Sequence, residues 1–235
     1  MLVDPYYSTS EDRISFTREQ GSNFAKQVAD GFNPIHDPDA RRFCIPGDLL
    51  FSIILARYGL SQRMEVAFTG MVVDGIELVL PEPAEELEIN DTAGRQYLTI
   101  GRSGDSTSDA SLIDRLTRVY VEFSGHTFPH ILVPLLAEQN VMINPERPVV
   151  MYDSMTLDLD RLDLVDPLLV QDHNELSING KRGEVRLVFN IVEGGQVVGR
   201  GRKRMILSGL REYDEGVMAD TIASFNRWKL DFQPA

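Results

Sequence analysis

The sequence predicts an α+β fold built twice over, each unit a short buried helix wrapped by an antiparallel sheet. Three observations carry that expectation. Residues 49–55 are apolar at almost every position, so a helix there has no polar face and must be enclosed. Segments with alternating apolar residues follow it and return in the second half, the period expected of half-buried strands. The order of strand, apolar helix and several strands recurs over the 235 residues, which this reading divides into repeats at 1–110 and 111–235.

The elements follow in order. Ile14 and Phe16 share one side of a short strand at 14–17. A helix is expected from Gly21, with Ser22 or Asn23 as cap and Phe24, Ala25 and Val28 on its apolar face. It ends at the Asp30-Gly31 break and the Asn33-Pro34 turn. Pro46 and Gly59 punctuate the apolar helix between them. Strands are expected at 65–68, 76–80, from Leu87 and Ile89, and at 97–100, with 90–94 as turn chemistry. The Ser-, Gly-, Asp- and Thr-rich stretch 101–111 reads as a linker or mobile loop.

In the second half, Val119, Val121 and Phe123 alternate as in a strand, and 131–137 is the second apolar helix. Pro134 requires that helix to start there or to kink. Strands are expected at 149–151, 155–159, 175–178, 185–192 and 197–207. Glu193-Gly194-Gly195-Gln196 forms a hairpin turn, and a terminal helix covers 219–225.

Composition narrows the function. Hydrophobic residues are 43% and charged residues 25%, ordinary for a globular chain. No apolar stretch approaches the roughly 18 residues of a membrane span, and the first residues lack a secretory pattern, so a cytoplasmic protein is expected. The lone Cys44 excludes a disulfide framework and a thiolate cluster. A net charge of −13 argues against a broad nucleic-acid surface. Arg200, Arg202 and Arg204 would share one strand face, either meeting coenzyme A phosphates or, the better reading, solvated. His126 and His130 have helix-type metal spacing, but Phe128-Pro129 lies between them and no third ligand is evident. His173 falls in an expected loop, and Ser154 and Ser208 lack nucleophile-elbow context.

One segment carries chemistry. Asn33-Pro34-Ile35-His36 places an amide, a rigid kink and an imidazole in a short loop, and Pro46-Gly47 opens the buried helix soon after. A helix N-terminus has unpaired N–H groups and a favourable dipole for a carbonyl that gains charge. Asn33 could instead serve only an Asx-type turn, and His36 only a loop.

Asn33, Pro34, Ile35, His36 and Ala40 fall on a pattern that resembles the MaoC-like, R-specific enoyl-thioester hydratases of the hotdog superfamily. The resemblance covers roughly residues 21–60; the whole chain is also similar to an uncharacterised bacterial family of about this length. It implies a double hotdog and a hydratase or dehydratase acting on an acyl thioester carried by coenzyme A or a carrier protein. His36 and a carboxylate would move protons as base and acid, Asn33 would hold the loop or the water, and the Gly47 N–H would bind the carbonyl. The family's acid lies two positions before the Asn, which is Gly31 here; Asp30 is one residue earlier, and Gly31 could let it swing inward. Two other readings share the fold: a non-catalytic acyl-thioester or fatty-acyl binding protein, and a thioesterase with Asp48 as the carboxylate beside the helix. Neither cofactor nor metal is implied, and either a monomer or a homodimer is compatible.

Overall fold

The computed structural model describes residues 1–232. Strands β1 (Ser8–Ser10) and β2 (Arg13–Ser15) form a small hairpin, and α1 (Arg18–Asn23) follows. Helix α1 starts three residues before Gly21, because Thr17 and Gln20 form a reciprocal capping box. Ser22 and Asn23 are therefore helical residues and cap nothing. A π-helical turn, Phe24–Val28, carries the chain on to a 3-10 turn at Pro34–His36.

Helix α2 (Gly47–Tyr58) is as enclosed as its composition demands: Leu49 to Leu55 are all buried. Removing one such side chain from water is worth about 1.5–3 kcal/mol. Gly59, at φ 79°, ends the helix and turns the chain into β3 (Leu60–Phe68). Then come β4 (Leu78–Val79), β5 (Glu86–Asp91) and β6 (Gln96–Thr107).

Strand β6 overturns the linker expected at 101–111. Gly101 pairs with Glu65 on one side and Glu86 on the other, and the residues from Arg102 to Thr107 continue the strand against β3 alone. Gly104, at φ 78°, lies where the register with β3 shifts, and the Gln62 side chain accepts the N–H of Asp105 there. The small residues serve an irregularity in the ladder.

Helix α3 (Ala110–Gly125) replaces the strand expected at 119–123. Asp109 caps it by accepting the N–H groups of Ser111 and Leu112. Its buried side chains, Leu112, Ile113, Leu116, Thr117, Tyr120 and Val121 among them, recur at helical spacing and join the core around α2. It is α3 that occupies the second enclosed position, and not residues 131–137. Those residues form the short helix α4 (Leu132–Glu138), in which Pro134 sits in the first turn, where no N–H bond is lost.

The remaining elements are β7 (Val141–Met142), β8 (Val150–Leu159), β9 (Leu168–Asn179), β10 (Arg182–Glu193), β11 (Gln196–Ser208), β12 (Arg211–Glu212) and α5 (Glu215–Asp231). Strand β8 unites two expected strands, and β9 contains His173, which is thus not in a loop.

Ten strands make one antiparallel sheet in the order β1-β2-β4-β5-β6-β3-β8-β11-β10-β9; β12 and β7 pair separately. After each enclosed helix come four strands whose first lies beside its fourth: β4-β5-β6-β3 after α2, and β9-β10-β11-β8 after α3. The two sets meet where β3 pairs with β8. This repeated order, each set behind its own helix, is a double hotdog. Among the described residues no helix is long and apolar enough to cross a membrane.

Candidate functional site

Asn33 accepts the N–H of Ile35 and starts the 3-10 turn that presents His36. This is the Asx-type turn that its sequence allows. The imidazole Nδ1 lies 2.7 Å from the carbonyl of Cys44, and the Cys44 N–H binds Ile35 O at 3.0 Å. A carbonyl only accepts, so Nδ1 carries the proton of the neutral ring and Nε2 keeps its lone pair. No protein group among the described residues bonds to Nε2. Burial lowers the pKa of His36, against the opposing pull of the Cys44 carbonyl and of Asp48 and Asp37, so the ring is neutral at pH 7.

Three residues after Cys44 comes the start of α2. Pro46 carries no N–H, and its carbonyl accepts from Leu49 and Leu50. The N–H groups of Gly47 and Asp48 have no acceptor among the described residues. They are the free donors of a helix N-terminus. The ring of Tyr152 packs so tightly on Gly47 that a Cβ there would lie 2.5 Å from Tyr152 Cδ1. Glycine is required by close approach.

The Asp48 carboxylate accepts three hydrogen bonds. Lys203 Nζ donates to Oδ1 at 2.8 Å, Ser124 Oγ donates to Oδ2 at 2.7 Å, and the Tyr120 hydroxyl donates to Oδ1. Lys203 also donates to Ser124 and lies 4.2 Å from the ring centre of Tyr152. Burial alone would raise the Asp48 pKa, but the charge of Lys203 with the three hydrogen bonds holds it below the ordinary carboxylate range. Burial and the Asp48 charge push both tyrosines well above 10, so they stay protonated. Tyr120 spends its one proton on Asp48; in its contact with Tyr152 the donor is therefore Tyr152, whose oxygen keeps its lone pairs free.

These groups border a cavity of about 540 Å³. His36, Gly47, Asp48, Tyr152 and Lys203 line its polar end, and most of the remaining wall is apolar, with Leu50, Phe68, Met205 and Phe225. Cys44 lines it too, but burial pushes its thiol up to about 12, which leaves no thiolate near neutrality. Among the described residues no group of three or more His, Cys, Asp or Glu could hold a metal.

Of the residues singled out in the sequence, His36, Asn33, Gly47 and Asp48 come together at this cavity. Asp30 does not: at φ 50°, it turns its carboxylate to Lys229 of α5 and is not among the lining residues. Tyr120, Ser124, Tyr152 and Lys203 were missed. Lys203 sits in the basic run, on the face opposite the more exposed Arg200, Arg202 and Arg204; a buried lysine on an alternating strand was the available signal. The other three lie far along the chain, and no local pattern marks them.

A family model described as "Protein of unknown function (DUF3581)" matches residues 1–216. The chain belongs to that family. No curated protein matches it. Among solved structures it is similar to an acyl-CoA thioesterase II, TesB2, from Mycobacterium marinum, at 9% identity, over 92% of this chain and 99% of that one, with a TM-score of 0.44. A hot dog fold protein from Alicyclobacillus acidocaldarius is 9% identical over 88% and 98%, with a TM-score of 0.44. A MaoC-like dehydratase is 11% identical over 87% and 98%, with a TM-score of 0.41. The double hotdog assignment rests on the strand order and the two enclosed helices, not on these likenesses.

Proposed function

We propose that the chain binds an acyl thioester in this cavity and hydrolyses it. The observation that carries the reading is the pairing, at one end of an apolar cavity, of two unpartnered helix N–H groups with one free base. The thioester oxygen would accept from the N–H groups of Gly47 and Asp48. A water donating one hydrogen to His36 Nε2 and the other to the Tyr152 oxygen would face the carbonyl carbon with a lone pair. His36 takes the water proton as the new C–O bond forms; the tetrahedral intermediate then breaks its C–S bond. The leaving sulfur recovers the proton from the imidazolium, and the products are a carboxylic acid and a thiol.

The state of the carboxylates favours hydrolysis over the hydration suggested by the motif. Hydration in the MaoC-like manner shares the water between His and a free Asp, and the carboxylates nearest the His36 loop and the helix start are engaged: Asp30 by Lys229, Asp37 by Lys26 and Asp48 by three donors, while Asp220 lines the cavity from α5. Hydrolysis needs one base. In this reading residues 1–110 supply the His36 loop and the helix N-terminus, and 111–235 supply Tyr152 and the groups that hold Asp48.

The test is to incubate purified protein with saturated and enoyl thioesters of coenzyme A, following free thiol and the conjugated double bond separately. Thiol release that disappears in His36→Ala is expected. Loss of the double bond without thiol release would restore hydration. Binding without either product would make the chain an acyl-thioester binding protein and defeat the hydrolytic reading.

A further inference from the structure

The family match ends at residue 216, where α5 has just begun, yet α5 supplies a whole wall of the cavity. Val217, Thr221, Ser224 and Trp228, with Met218 and Phe225, recur at helical spacing and all face the cavity. An inner stripe normally meets a packed core. Here only Met218 and Phe225 are buried along the helix, and the others look into open space. Trp228 is 47% exposed, and Val217 at 38% and Met71 at 41% also line the cavity.

The helix is held at few points. Phe225 makes edge contacts with Phe32 and Phe128, at 6.0 and 5.1 Å between ring centres. Lys229 pairs with Asp30 across the surface, both side chains being roughly 40% exposed. An exposed pair of this kind adds little stability. It can be broken and remade cheaply, which suits a latch.

We infer that α5 is a lid over the substrate's acyl chain, which packs against the stripe of Met218, Phe225 and Trp228, and that Asp30–Lys229 latches it. The inference rests on the acyl-thioester reading and adds to it the class of chain: long, apolar and uncharged.

Trp228 is the only tryptophan, so its fluorescence reports on the lid directly. The full chain is titrated with His36→Ala present, to prevent turnover, against thioesters of increasing saturated chain length, with calorimetry in parallel. The expected result is a blue shift of the emission on binding, and an affinity that rises about fourfold per added methylene while the chain still finds wall to cover. In Trp228→Ala, long-chain affinity should fall at least tenfold while that of an acetyl thioester stays the same. Lys229→Met should speed association of the long-chain ligand and leave the blue shift in place. Calorimetric binding with no change in emission at any length would place the chain elsewhere and sink the lid, leaving the site reading intact. An association rate indifferent to Lys229→Met would make α5 a fixed wall. No binding at all would remove both proposals.

Discussion

Lys203 and Asp48 are a buried pair with other hydrogen bonds attached, and such pairs punish the loss of one partner far more than the loss of both. The Lys203 side chain is 5% exposed and that of Asp48 17%. Lys203→Met should therefore cost about 3–5 kcal/mol, and Lys203→Met with Asp48→Asn markedly less, as read by urea denaturation. The sign with pH follows from the lowered carboxyl pKa. In the unfolded chain the group titrates near ~3.9; in the folded chain, below that. The pair's stabilisation is full above the unfolded value and is lost as pH falls through the folded one, so acid denaturation of the Asp48→Asn protein should lack that component. His36 behaves as a buried neutral base. Its pKa lies below the usual ~6.5, so the acid limb of the pH–rate profile for thiol release should fall at a lower pH than a free imidazole would give, and a limb at or above that value would count against His36 as the base.

At the scale of elements, two glycines are places where another backbone or ring comes too near for any side chain. Gly47→Ala would push Tyr152 off the start of α2; overpacking of this kind costs about 1–3 kcal/mol, measurable as a lower denaturation midpoint. Gly201 on β11 lies opposite Phe189 on β10, whose ring fills the space a Cβ would need at 2.1 Å. Gly201→Ala should destabilise by a similar amount without touching the cavity, and so leave ligand binding by the folded protein unaltered. The helix α2 was legible because Pro46 and Gly59 are helix punctuation around a run at 49–55 whose apolar pattern alone would also allow strands; in the structure all seven of those residues are buried. Helix α3 was not, because Val119, Val121 and Phe123 alternate over a window too short to separate a period of 2 from one of 3.6. The longer run from Leu112 to Ser124, behind the Asp109 cap, is helical throughout. In β6 the composition of a loop proved to be that of an irregular strand, since the ladder with β3, which runs on to Thr107, overrides local preference.

The two repeats share their larger core cluster, and a smaller one around Leu136, Val185 and Leu207 belongs to the second half alone. Leu112, Ile113, Leu116 and Val121 of α3 belong to the same buried cluster as Leu49 to Leu55 of α2, and the sheet is continuous through β3 and β8. Cutting between the repeats would expose that apolar surface. The chain should therefore unfold in one transition, with far- and near-ultraviolet circular dichroism changing together, and a 1–110 fragment should fail to give a cooperative melt. Two separated transitions would show that the repeats are stable apart.

The sequence by itself determined the enclosed helix, the antiparallel sheet that must enclose it and the placing of His36 near the start of α2, and it allowed the Asx turn at Asn33. Each follows from residues close together in the chain, where spacing and turn chemistry act directly. Only the tertiary structure decided which carboxylate sits where: Asp30 out on Lys229, Asp48 in on Lys203, Ser124 and Tyr120. Those partners lie 72 to 199 residues away, and no local pattern encodes a contact over such distances. Asp48 meets its partners because α2 and α3 pack side by side at the β3–β8 seam, and because a charge kept from water must find its counter-charge wherever the chain has brought one; the exposed Asp30–Lys229 pair is under no such demand.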